Sequence, residues 1–395
     1  MYNSIIVSRY MNNLQPEPWE AAQNFRMTLW ADVEWVQKWN QIGRKNMREF
    51  RMGDVRGRLV SALAAVAIGV TSLAGSAMAQ DLKLRFSVGA NESETDGMSV
   101  GLRAMRDYVA YKSGGTMEIE IFWNTLGGSL QVTEQVKNGT LDMALTDDSV
   151  LGSFYPPMQA FQIPYLFASS PAAWQFTQTD TVRGMTDDMR EATGLRTLGF
   201  SQNGFRNLTN NKREVKTPAD MSGLKMRTMQ SQVYVEFMGA MGASATPIAW
   251  PELVPALRTG VVDGQENAAI TVLDGKLYEV QKYMSVNEHV YGFHLILIND
   301  DVYKGMTVDQ QKILHEAVAL HSELANAIKT TADIVSVGKL RDLGMEIHVN
   351  SPTEKAMFRD MAQPAVVAFI KSQIGAEAVD KVLGAAKEAE ERLYR

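Results

Sequence analysis

Residues 293–299 read Phe-His-Leu-Ile-Leu-Ile-Asn, apolar on both alternating faces. A strand covered on both sides belongs inside a sheet, so this run predicts a buried central strand. Upstream, strands and helices alternate from Asp81, the pattern of an α/β domain. Leu82–Val88 alternates apolar and polar residues as a strand, Met98–Tyr111 has helical spacing, and Met117–Phe122 is a second strand. The Leu126-Gly127-Gly128 loop leads into a helix ending near Asn138-Gly139, followed by a third strand at Leu141–Leu145. A helix starting at Ser170-Pro171, with Ser as N-cap and Pro at the first helical position, precedes a fourth strand at Leu195–Phe200.

Near residue 203 a second unit begins. Thr217-Pro218-Ala219-Asp220 starts a helix, Leu224–Arg227 forms a short strand, and Tyr234–Met241 a helix stopped by Gly242. Pro251–Arg258 is a further helix ended by Gly260, and Val261-Val262-Asp263 a strand. The return at Phe293 places domain I over 80–203, domain II over 204–292, and domain I again with the spanning and C-terminal helices over 293–395. The predicted fold class is α/β, with two domains, an interdomain cleft and at least two crossing strands that serve as the hinge.

Thr307 and Gln310 form a capping box at the head of the best helix in the chain. Ile313, Ala317, Leu320, Leu324 and Ile328 mark its apolar face. Continued to about Leu343, ~35 residues rising 1.5 Å each give roughly 50 Å, enough to lie across both domains. A strand near Met345–Val349, a helix capped by Ser351-Pro352-Thr353-Glu354 and a charged helix from Ala376 complete the chain.

The first 79 residues have a different character. Residues 59–76 carry no charge, follow Arg51, Arg56 and Arg58, and lead into Ala77-Met78-Ala79. This is a basic region, an apolar region and an A-x-A site, so 47–79 is expected to be a secretory signal cut after Ala79. An uncleaved anchor is the alternative, with less apolar length than the ~20 residues a span requires. Residues 1–46 hold Trp19, Trp30, Trp35 and Trp39 and are expected to be an upstream mis-start.

With Lys+Arg 39, Asp+Glu 45 and no Cys, the composition excludes disulfide frameworks, Cys-based metal sites and thiol nucleophiles. Residues 1–79 hold nine basic and six acidic residues, so the remainder carries 30 against 39, a net −9. That charge argues against nucleic acid as a partner, because a phosphate backbone selects a basic face. An acidic exported chain of this kind fits the Gram-negative periplasm.

Enzyme motifs are absent. His315-Glu316 with His321 misses the metalloprotease spacing, since the two His are six residues apart and not four, and both are expected on the helix surface. No Walker loop, G-x-S-x-G or G-x-G-x-x-G occurs. Asp147-Asp148 and Asp300-Asp301 are adjacent acids, which commonly mark solvated turns; a carboxylate hydrolase using Asp147 or Asp148 is the alternative from another class. No catalytic residue, metal site or cofactor is expected.

The informative stretch is 203–267. It contains Asn203-Gly-Phe-Arg206, Thr217-Pro-Ala-Asp220, Ser222-Gly-Leu-Lys225 with Arg227, the 247–252 segment, and Thr259-Gly-Val-Val-Asp-Gly-Gln-Glu-Asn267. Gly114-Gly115, Asn138-Gly-Thr-Leu-Asp142, Ile163-Pro-Tyr-Leu-Phe167 and Leu277-Tyr-Glu-Val-Gln-Lys-Tyr283 accompany it. In these motifs the chain resembles the solute receptor of tripartite ATP-independent periplasmic (TRAP) transporters, of the C4-dicarboxylate-binding type, over nearly all of 82–390. The resemblance implies a monomeric periplasmic receptor that captures a small organic acid and delivers it to membrane permease subunits. A sensor passing the signal to a membrane kinase is a variant of this reading.

A receptor for organic anions needs a cation that stays charged when desolvated, and a guanidinium fork matches both carboxylate oxygens. The resemblance gives that role to Arg227, has the Asn267 amide donate to the same carboxylate, and makes Arg206 a second arginine reaching it directly or through water. An ion pair with Asp220 or Glu236 is the plain alternative for Arg227, and a strand-end ion pair the alternative for Arg206. Trp250 offers a broad aromatic wall. Asp147 or Asp148 follows the third strand and would accept from ligand hydroxyls or meet a positive group, disfavouring a second carboxylate. Asn91 and Glu92, in the 89–96 loop, are further candidates. Hydroxy or sugar acids lead as ligands, with an ectoine-like zwitterion second.

Overall fold

The structure is a computed structural model and describes residues 81–394; the expected signal and upstream extension lie outside the described residues. β1 (Leu82–Val88), α1 (Gly97–Lys112), β2 (Met117–Trp123), α2 (Ser129–Lys137) and β3 (Met143–Asp147) come first. β1 pairs in parallel with both β2 and β3. After the short helix α3 (Asp148–Leu151) come α4 (Ser170–Thr177) and α5 (Asp180–Thr193). The N-cap of α4 is Ser169, whose side chain accepts from the Ala172 amide, and Pro171 stands in the first turn. The expected cap at Ser170 is therefore one residue late: either Ser precedes the proline, and only the backbone conformation selects between them.

The fourth strand is far longer than expected. β4 (Leu195–Asn210) runs through residue 203 and pairs antiparallel with β8 (Tyr283–Asn299) along nearly its whole length. At ~3.3 Å per residue, 17 residues of β8 span about 55 Å. The expected boundaries at 203/204 and 292/293 thus lie inside continuous strands. The run 293–299 is indeed buried throughout, between β3 and β4.

Between these two strands the chain builds β5 (Lys225–Thr228), α6 (Gln232–Ala240), β6 (Ser244–Pro247), α7 (Trp250–Thr259), β7 (Gly264–Asn267) and α8 (Ala269–Asp274). β5 pairs in parallel with β6 and β7, and β7 lies antiparallel on β4. The expected strand at 261–263 is displaced to Gly264–Asn267, because Gly260 closes α7 in the left-handed conformation (φ 73°) and 261–263 are used to leave that turn. The 217–220 helix start is a capped single turn, Pro218–Met221, of 3₁₀ type.

After β8 come α9 (Asp300–Gly305), α10 (Val308–Asp342), β9 (Glu346–Val349), α11 (Pro352–Ile374) and α12 (Ala376–Arg392). The sheet order is β2-β1-β3-β8-β4-β7-β5-β6, with β9 on β8. Two parallel lobes are joined by two long antiparallel strands, and α10 lies along them. The capping box of Thr307 and Gln310 forms as expected, and α10 ends at Asp342.

Each lobe has its own core. Phe86, Leu102 and Met105 pack in the first, Leu253, Val262 and Val272 in the second. A larger cluster includes Phe161, whose ring meets Phe176 and Phe293 edge-on at 5.1 and 6.0 Å. Each such ring is worth ~1.5–3 kcal/mol of burial.

The buried line of α10 differs from the predicted stripe. Leu314, Val318, His321, Ala325 and Lys329 face inward, while Ile313, Leu320, Leu324 and Ile328 are only half-buried. His321 is fully buried beside Ser201, 3.3 Å away, where a surface position was expected. Asp300 is likewise no solvated turn: it is buried and pairs with Arg196 and Lys304. The helix packs against polar hinge backbone, so its inward face is chosen by hydrogen bonding as well as by apolarity.

Candidate functional site

The parallel strands of both lobes end at a common cavity of about 210 Å³. β1 delivers the 89–96 loop, β3 delivers Asp147, β5 delivers Arg227 and β7 delivers Asn267. The crossing strands add Asn203 and Arg206 from β4 and His294 from β8, and α10 adds Lys329. Asn91, Glu92 and Trp250 line the same cavity, so all seven candidates named from the sequence converge there.

Arg227 is 2% exposed. Its Nε donates to the Ile248 carbonyl at 2.8 Å, and Nη1 is buried without a partner. Neither Asp220 nor Glu236 pairs with it: Asp220 caps Thr217, and Glu236 accepts from Gln232. Burial pushes its pKa down to about 10, opposed by the charge of Glu266 and assisted by that of Arg206, so it remains cationic at neutral pH.

Arg206 is the opposite case. It is fully buried, and its Nε and Nη2 donate to both carboxylate oxygens of Glu266, at 2.5 and 3.0 Å, with a further bond from Nη2 to the Glu266 carbonyl. Burial opposes ionisation of both groups, yet their mutual attraction raises the arginine and lowers the glutamate. The ion-pair alternative for Arg206 is thus present, and only Nη1 is left unpartnered at the cavity. The Asn267 amide is also engaged, donating to Gln265 at 2.6 Å.

Asp147 stands opposite His294 in the β3–β8 register, which sets their 3.3 Å contact. Ser129 donates to its other oxygen at 2.5 Å, and the Asn203 amide donates at 3.1 Å. Burial would favour the neutral acid, but the hydrogen bonds from His294 and Ser129 and the charge of Arg206 hold Asp147 well below the usual carboxylate range. Burial pushes the His294 pKa down, so at neutral pH the imidazole is uncharged and does not neutralise the Asp147 carboxylate. Asp148 turns inward away from the cavity. One oxygen accepts from the Phe293 amide at 3.2 Å, the other has no partner, and burial with the neighbouring Asp147 charge pushes its pKa up to about 7. The adjacent pair therefore brings a single carboxylate, that of Asp147, to the cavity.

Glu92 is exposed and paired with Arg103 at 3.1 Å, and Asn91 accepts from the Asn124 amide at 3.0 Å. Trp250, half-buried at the head of α7, reaches Gly275, where an added Cβ would stand 3.2 Å from the indole. Lys329, His294 and Ser129 were not singled out from the sequence. A His inside an otherwise apolar central strand and a Lys on the inward line of a helix were the available signals.

Comparison with known proteins adds to this geometry. A family described as bacterial extracellular solute-binding protein, family 7, matches residues 88–373. The 2,3-diketo-L-gulonate-binding periplasmic protein of Escherichia coli K12 is 30% identical over 251 residues, 62% of this chain and 74% of the relative. A TRAP periplasmic solute-binding protein from Bordetella bronchispeptica, with density assigned to pantoate, superposes with a TM-score of 0.71 at 30% identity, covering 76% of this chain and 98% of that one. The sugar acid binding protein from Advenella mimigardefordensis, in complex with galactonate, gives 0.74 at 28% identity, with 78% and 99% covered. No helix among the described residues is long and apolar enough to cross a membrane. Two parallel lobes on crossing strands, a charged cavity at their strand ends and a profile match over most of the described chain together place this protein in the family 7 extracellular solute-binding proteins, the receptors of TRAP transporters.

Proposed function

We propose that this chain is a periplasmic receptor that closes on one small organic acid, grips its carboxylate with Arg227, and delivers it to a TRAP membrane permease. The observation that carries this reading is the buried Arg227 guanidinium, which lines the cavity and forms no ion pair with any described residue. A buried cation is stable only with a counter-charge. A ligand carboxylate supplies that charge, with Nε held by Ile248 and the η nitrogens directed to the guest. The Arg206 Nη1 and the second hydrogen of the Asn267 amide complete the carboxylate site.

Arg227 and Asn267 come from one lobe, while Asp147 and the 89–96 loop come from the other. A ligand touching both favours the closed form by those joint contacts alone. The protein acts as a monomer, exported with removal of residues up to Ala79. An ectoine-like zwitterion is the second reading, favoured by Asp147 and by the indole of Trp250, which together suit a delocalised cation. A thermal-shift screen across aldonates, hydroxy acids, dicarboxylates and ectoine tests the proposal: stabilisation by an acid supports it, stabilisation by ectoine alone favours the second reading, and no shift from any compound overturns both.

A further inference from the structure

The long helix contributes a cation to the cavity that the carboxylate clamp does not use. Lys329 is 4% exposed, lines the cavity, and has no carboxylate within 4.0 Å among the described residues. Its ammonium makes one bond, to the Asn203 carbonyl at 3.4 Å, near the outer limit for an N–H donor. An ammonium has three donors, and burying it with one weak partner is unfavourable unless a guest or water completes the set.

The position of Lys329 is fixed on both sides. One turn before it, Asn326 accepts from the Gln202 amide at 2.8 Å and takes the Gln202 side chain on its own carbonyl at 2.8 Å. Just after it, Thr330 accepts from the same Gln202 side chain at 2.8 Å, and Asp333 accepts from the Ile270 amide at 3.0 Å. The helix is thereby pinned to β4 and to the head of α8, which fixes where the Lys329 side chain leaves the backbone beside the cavity.

Asn203 connects this cation to the acid across the cavity wall. Its carbonyl takes Lys329, while its side-chain amide donates to Asp147. The wall therefore presents free ammonium donors beside a carboxylate whose four acceptor sites receive only Asn203, His294 and Ser129. We propose that Lys329 is a ligand-binding residue which, together with Asp147, selects a monocarboxylate whose carbon chain carries hydroxyl groups. A hydroxyl both donates and accepts, so it satisfies Asp147 and Lys329 at once. A second carboxylate satisfies Lys329 but faces Asp147 as a like charge, and an amine does the reverse. This inference rests on the Arg227 reading for the carboxylate end.

The test is calorimetry with four acids of equal chain length: galactonate, adipate, hexanoate and 6-aminohexanoate. The wild-type protein is expected to prefer galactonate over each of the others by at least about tenfold, and Lys329→Met to weaken galactonate about ten- to a hundredfold, the loss of one or two charge-assisted bonds. Lys329→Gln, which keeps one donor, is expected to fall between, and thermal melts of both variants establish that they fold. Preference for adipate or 6-aminohexanoate overturns the selection while leaving the carboxylate receptor standing. Unchanged galactonate affinity in both variants overturns the role of Lys329. Failure of all four acids to bind overturns the Arg227 reading with it.

Discussion

Replacement of Arg227 by Met removes the guanidinium and keeps most of the apolar stem, so binding and folding respond in opposite directions. In the free protein the only hydrogen bond lost among the described residues is that from Nε to Ile248, and a cation buried without an ion-pair partner among them disappears. The unliganded variant should therefore melt at or above the wild-type temperature. With ligand the balance reverses. Nε is already committed, so the carboxylate is held by the η nitrogens, and two charge-assisted bonds at ~1.5–3 kcal/mol each amount to about 3–6 kcal/mol. At 1.4 kcal/mol per decade, affinity falls about a hundredfold or more. Arg227→Lys, which keeps the charge but loses the fork, should lie between Met and wild type. Titration calorimetry with the acid giving the largest thermal shift, alongside melts of both unliganded forms, measures the two effects. Unchanged affinity in Arg227→Met would refute the clamp. A large drop in unliganded stability would show instead that the guanidinium is a structural group.

Glu266→Gln leaves Arg206 buried beside a neutral amide, and should cost about 3–5 kcal/mol in urea unfolding, far more than any change at Arg227. Asp148 offers a pH signature. Its folded pKa, near 7, lies above the unfolded value of 3.8, so the folded state binds the extra proton and stability falls as pH rises between those values. Asp148→Asn removes that slope, so the variant should gain on the wild type between pH 5 and about 7, by at most roughly 3 kcal/mol at 1.36 kcal/mol per unit, with no further gain to pH 8; parallel stability curves would exclude the assignment. Gly204 has φ 100°, and an added Cβ would stand 3.0 Å from an Asp333 carboxylate oxygen. Gly204→Val should lower stability by about 1–3 kcal/mol, read as a lower urea midpoint.

Local signals in the chain already determined much of this protein. The capping box at Thr307, the apolar run 293–299 and the glycine stop at 260 are each decided within a few residues, and each appears close to where the residues put it. The motif positions Arg227, Arg206, Asn267, Trp250 and Asp147 were readable through the family resemblance that the sequence motifs carry, and they meet at one cavity. Which of them carries an uncompensated charge was not readable. Arg206 and Arg227 look alike in sequence, yet β4 and β7 pair so that Asn207 faces Asn267 and Leu208 faces Glu266, bringing Glu266 to one arginine and leaving the other free. The same holds for the long helix. Its apolar spacing pointed to Ile313, Leu320, Leu324 and Ile328, whereas packing against the crossing strands turned the face with His321 and Lys329 inward. Charge pairing and helix rotation depend on partners distant in the chain, and only the assembled sheet brings those partners within bonding distance.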